Sequence, residues 1–216
     1  MRNILRIRIF TAALSTLAFL WFSGPADAQG PAAREFNRLQ TLQSALAKIP
    51  MEKQEKEPHK SFIKRHERNK DIVYSEPAGQ WYVRSELFWS LRDRYNSLAI
   101  AEDIAWVAAQ NPIPGECEGY INCYMYILTA TDGRYLSYYP NGKHSGQAFK
   151  AIVERLEPLA ADDSQYDGPT DATDRPELKK NLAELRYQIA RSNNAEKAKA
   201  LALIGKLEAK HKYYEC

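Results

Sequence analysis

Three cysteines and four histidines carry most of the reactive chemistry this chain could offer. Cys117 and Cys123 are six residues apart. In a reducing compartment they would be thiols, and Cys123 with His144 as base would make a nucleophilic pair. In an oxidising one they are a disulfide candidate. Such a pair cannot bridge within one continuous helix, because a rise of 1.5 Å per residue separates the two by roughly 9 Å, beyond the Cα limit of about 7 Å. The chain must turn between them. Pro112, Pro114, Gly115 and Gly119 supply that turn. Cys216, the last residue, is a competing partner for either one or a free thiol.

Carboxylates give two further constellations. Glu116 and Glu118 flank Cys117 and could form an acid/base pair on a glycan, but no substrate-binding pattern accompanies them. Asp163, Gln165, Asp167, Gly168, Asp171 and Asp174 fall at positions 1, 3, 5, 6, 9 and 12 of a calcium-binding loop. Pro169 and Thr170 at positions 7 and 8, and the short arm of Asp174 at position 12, depart from that pattern. The four Asp are a weak metal candidate, and the segment reads first as a solvated acidic linker. His59, His66, His144 and His211 form no close pair and no zinc motif. No cofactor motif is present, and catalytic residues are expected to be none.

Aromatic residues offer binding rather than catalysis. Most lie between Tyr74 and Tyr139. Trp81, Trp89 and Trp106 are read as core, with a groove for peptide or sugar as the alternative. Tyr138 and Tyr139 are adjacent and cannot both face inward. One of them is the leading contact residue.

An address comes before these residues. Arg2, Arg6 and Arg8 precede an apolar run from Ile9 to Phe22, and Ala26-Asp27-Ala28 ends it with small residues. This is the three-part pattern of a secretory signal. A run of 14 residues is short for a membrane span, which needs roughly 20, and an uncleaved anchor is the lesser alternative. Cleavage after Ala28 predicts an exported chain, periplasmic in a Gram-negative cell and otherwise secreted. The leader holds three Arg and one Asp, so the net charge falls from +3 to +1 on its removal. No clustered basic face calls for nucleic acid, and no later segment is long and apolar enough to span a membrane.

Hydrophobic spacing sets the frame around these sites. Residues 29–50 carry Phe36, Leu39, Leu42, Leu46 and Ile49 at helical intervals, stopped by Pro50. Residues 51–79 are expected to be a charged linker and strap, with Ile72–Tyr74 and Gln80–Val83 as a short hairpin or extended segment. Residues 80–158 form the expected helical core: one helix capped by Ser85, one through Ile104 and Ala108, one from Tyr120 to Leu136 that Thr131-Asp132-Gly133 could interrupt, and one from Ser145. Residues 159–175 are the acidic linker. Residues 176–216 carry Leu178, Leu182, Leu185 and Ile189, then Leu201, Ile204 and Leu207. They are expected to form a helical hairpin or coiled coil whose leucine face supports self-association. The fold class is all-α, with helical hairpins packed as a small bundle or repeat-like array.

Tyr135 to Phe149 resembles the join between repeats in tetratricopeptide-like periplasmic proteins. A helix ends in aromatics and Pro140, a polar turn follows, and Ala148 opens the next helix. That resemblance implies helix-pair packing and a protein partner. The expected function is therefore a non-enzymatic interaction or assembly module of the cell envelope. A small envelope enzyme or wall-binding protein is the alternative, and a calcium-dependent helical module is the second.

Overall fold

In the computed structural model the protein is mostly helical with one short hairpin, as the spacing predicts. The structure describes residues 26–166, 168 and 173–212. Residues 1–25, which hold most of the expected signal, lie outside it. So do Asp167, Asp171 and Cys216.

The first helix, α1 (Ala26–Ala47), points Phe36, Leu39, Leu42 and Leu46 inward. Pro31 lies inside it, past the first turn, where it removes one intrahelical hydrogen bond. The segment expected to be a linker is partly helical. A 3-10 turn at Met51–Lys53 leads into α2 (His59–Arg68), whose Ile63 is buried beside the half-buried Phe62. Interleaved charges mark the solvent face of α2, and two apolar residues suffice to dock a short helix.

Strands β1 (Ile72–Ser75) and β2 (Gln80–Val83) pair antiparallel, with Ile72 opposite Val83 and Tyr74 opposite Trp81. Two strands alone are marginal in water, and helices hold this pair. The Val83 N–H donates to Gln43 Oε1 of α1 at 2.8 Å, and Asn111 Nδ2 donates to the Val83 carbonyl at 2.8 Å. These two amides satisfy the main chain at the end of a strand that has no third neighbour.

Helices α3 (Ser85–Arg94) and α4 (Ala101–Gln110) pack side by side. Ala105 and Ala108 are fully buried and let the backbones approach. Ser85 does not cap α3 as expected. Its hydroxyl donates to the Ala108 carbonyl at 2.9 Å and ties the helix pair together. The next helix is interrupted where the sequence suggested. α5 (Ile121–Leu128) widens into a π-helical turn at Thr129–Gly133 and resumes as α6 (Arg134–Tyr138). Gly133 is needed there. A Cβ would strike the Gln188 amide and stand 2.9 Å from the Leu128 carbonyl.

The remaining helices are α7 (Ser145–Ala160), α8 (Asp174–Ala190) and α9 (Lys197–Lys212). They correct the expectation of an open leucine face. α8 packs on α5, and α9 packs on α7. Leu178, Leu182, Leu185, Ile189, Ile204 and Leu207 are all buried in the core shared with α1. The leucine pattern is real, but its partners are helices of the same chain. Among the described residues no helix is long and apolar enough to cross a membrane.

Candidate binding surface

The aromatic residues of α3, α4 and α6 meet in one continuous ridge. Arg134 lies over the Trp89 ring, 4.3 Å from its centroid, and Trp89 faces Tyr138 at 6.0 Å. The Arg92 guanidinium covers the Tyr138 ring at 3.6 Å. Its Nε donates to the Tyr139 hydroxyl at 3.2 Å. Tyr139 leans on Tyr135 at 5.6 Å, Tyr135 meets the edge of Trp106 at 5.3 Å, and His144 stacks on Trp106 at 4.7 Å and 5°. Cation and ring alternate at the outer end of this row, an arrangement in which each ring's negative face meets a guanidinium.

Local structure explains the arrangement. Trp89 and Arg92 lie three apart on α3 and share a face. The π turn changes the angular phase of residues beyond it relative to α5, so α6 can turn Tyr135 and Leu136 inward and Tyr138 outward. Tyr138 is 39% exposed, Trp89 is buried, and Tyr139 is half-buried. Asp93 bridges the two cations, 2.9 Å from Arg92 Nη1 and 3.9 Å from Arg134 Nη2.

The inner end of the ridge is a clamp. Glu102 Oε1 accepts the Tyr135 hydroxyl at 2.7 Å and the Lys143 N–H at 2.6 Å. The Tyr135 oxygen in turn accepts the His144 N–H at 3.1 Å. His144 Nδ1 bonds Gln147 Oε1 at 2.8 Å, and Lys143 pairs with Asp103. Burial and the Glu102 hydrogen bond push the Tyr135 phenol up, so it stays protonated at neutral pH. It is a donor and not a base. The cluster resembles catalytic equipment in residue type, yet its polar groups satisfy one another. Its structural effect is to pin the turn at Pro140–His144 onto α4.

The sequence-derived candidates separate clearly. Cys117 and Cys123 are bridged, with Cα atoms 5.3 Å apart. The loop between them turns through Glu118 and Gly119, both at positive φ, and the bridge ties it to the first turn of α5. Cys123 is thus no nucleophile for His144. Glu116 and Glu118 stand exposed on that loop, without the contrasting environments that split an acid from a base. Of the calcium-loop candidates, Asp163 and Asp174 are described, while Asp167 and Asp171 lie outside the described residues. Among the described residues no group of three or more His, Cys, Asp or Glu could hold a metal ion. Tyr138 and Tyr139 lie together in the ridge, and Tyr138 is the exposed one.

Three contributors escaped the sequence. Arg92 and Arg134 carry no local signal beyond the three-residue spacing of Arg92 from Trp89. Asp132 stood out only as part of the Thr131-Asp132-Gly133 interruption. It is a nearly inaccessible carboxylate in the π turn, 3.1 Å from Arg155 Nη1. Burial pushes it up to about 6 against the opposing support of Arg155 and Gln110.

The chain matches no protein-family model, no curated protein and no solved structure.

Proposed function

We propose that this protein is an exported, non-catalytic interaction module of the cell envelope, and that its Arg92–Tyr138 ridge docks a protein partner. The observation that carries the reading is the exposed Tyr138 ring held between Arg92 and the Trp89–Arg134 pair. Trp, Tyr and Arg are the residues that dominate binding energy at interfaces. A ring pre-positioned by stacking loses little conformational entropy on docking. The inner clamp supports the same reading, because it rigidifies the turn behind the ridge. The tetratricopeptide-like join at Tyr135–Phe149 is consistent with a scaffold of this kind.

A photo-crosslinking amino acid placed at Tyr138 tests it, with Tyr187 of α8, more exposed at 63%, as the control. The expected result is a discrete protein adduct from position 138 in intact cells, lost when Arg92→Glu is added. No adduct, or the same adducts at both positions, would reject the ridge as a docking surface.

A further inference from the structure

A second surface lies on different elements. The inward face of α1 is apolar, and its outward face carries Asn37, Gln40, Thr41, Ser44, Ala45 and Lys48. The spacing of three, one, three, one and three keeps them on one stripe. They line a shallow, open depression of about 530 Å³ along the outer side of α1 and its C-terminal end. At Ala45 and Lys48 this groove runs into a second depression, of about 510 Å³, between the end of α1 and α2. Ala45, Ile49, Pro58 and Phe62 make its floor, and Lys48, His59, Ser61 and Arg65 its edge.

Charge distinguishes this groove from an ordinary crevice. None of its lining residues is a carboxylate. Lys48 and Arg65 form no ion pair among the described residues. Of the acids in the same segment, Glu55 pairs with Lys60 at 3.2 Å, while Glu57 accepts the hydroxyl of Ser61 at the groove's edge at 2.8 Å. Arg65 sits 5.7 Å from the Phe62 ring centroid, at the lip of the apolar floor. An uncovered apolar floor beside two unpaired cations complements an apolar group flanked by negative charge.

The adjoining lane decides between occupants. An acyl chain would gain from the floor and the cations but would gain nothing from Asn37, Gln40, Thr41 and Ser44. An extended peptide would use both, placing one apolar side chain on the floor and its main-chain N–H and C=O groups along the amides and hydroxyls. The geometry points to an acidic peptide segment with an apolar anchor as the ligand of the α1–α2 groove. This site is independent of the ridge, which draws on α3, α4 and α6.

Fluorescence anisotropy with the purified protein tests it. The probe is a short fluorescein-labelled peptide with leucine and phenylalanine between glutamates. Binding is expected at low salt and should fade near 1 M salt, where screening acts over about 3 Å. The double variant Lys48→Glu, Arg65→Glu should raise Kd about tenfold or more, because it turns two attractions into repulsions. Both residues are exposed, so folding is not at stake, and an unchanged circular-dichroism melt verifies that. Tyr138→Ala should leave this Kd unchanged, which separates the groove from the ridge. The proposal is overturned if the glutamate peptide does not bind. It is also overturned if a lysine-flanked version binds equally well, or if the double variant stays within about twofold of wild type. Binding to phosphatidylglycerol vesicles without peptide binding would reassign the groove to lipid.

Discussion

The Arg92 guanidinium lies 3.6 Å from the centroid of the Tyr138 ring while its Nε bonds the hydroxyl of Tyr139, the next residue. One cation thereby fixes two neighbouring aromatics that face different ways. A lysine could supply the charge but not the planar fork that stacks and donates together. Arg92→Lys should therefore cost about 1–2 kcal/mol, from weakened cation–π contact and one lost hydrogen bond. Tyr138→Phe, which keeps the ring, should fall within about 0.5 kcal/mol of wild type. Urea denaturation of the two variants checks both values. Equal stability of Arg92→Lys and wild type would mean that the stack is ornamental.

Helical spacing made most of this fold legible. Phe36, Leu39, Leu42, Leu46 and Ile49 declared α1, and Thr131-Asp132-Gly133 marked the break between α5 and α6. For Ile72–Val83 the sequence left a hairpin and an extended strap both open, and the structure pairs Ile72 with Val83. What stayed hidden depends on contacts distant in sequence. Leu178–Ile189 looked the same whether its cover came from another chain or from α5. Arg92 and Arg134 went unmarked because stacking on an aromatic leaves no local pattern. Ser85 had a cap's residue type, but a nearby carbonyl at Ala108 drew its hydroxyl across the helix pair.

Two glycines should respond to alanine with opposite sign. At Gly142 a Cβ would collide with Glu102 Oε1 and stand 2.8 Å from both the Tyr135 hydroxyl and Tyr139 Cβ. Gly142→Ala must displace the clamp, at an expected loss of about 1–3 kcal/mol. Gly205 is inside α9, and a Cβ there meets nothing within 4 Å. Gly205→Ala should stabilise by about 0.5–1 kcal/mol, since alanine restricts the unfolded chain and favours helix. Thermal melts of the pair give the comparison directly, and a shared sign would contradict the packing described around Gly142.

The Cys117–Cys123 bridge closes a short loop. Replacing both cysteines by alanine should lower stability by about 2 kcal/mol in the chain-entropy model. The loss should be concentrated near residues 112–123, because the bridge ties that loop to α5. Amide hydrogen exchange is the suitable measurement. Faster exchange confined to this loop and the first turn of α5 is expected, whereas uniform loss of protection would show that the bridge stabilises the whole core.

Asp132 should give the fold a measurable pH dependence. Its carboxyl has a reference value of 3.8 and is pushed up to about 6 in the folded protein, chiefly by burial. Between those values the folded state retains a proton that the unfolded chain has released. Stability from this group is therefore complete below about pH 4 and is lost as pH rises through about 6, a span worth about 3 kcal/mol. Other groups titrate in the same range, so the informative quantity is the difference between wild type and Asp132→Asn, which keeps the shape and cannot ionise. Urea midpoints measured from about pH 4 to about pH 7 should show wild type falling relative to the variant. Arg155→Ala should steepen that fall, because the Arg155 guanidinium at 3.1 Å is the main group supporting the ionised form. Parallel curves for wild type and Asp132→Asn would show that water reaches Asp132 freely despite its burial in the π turn.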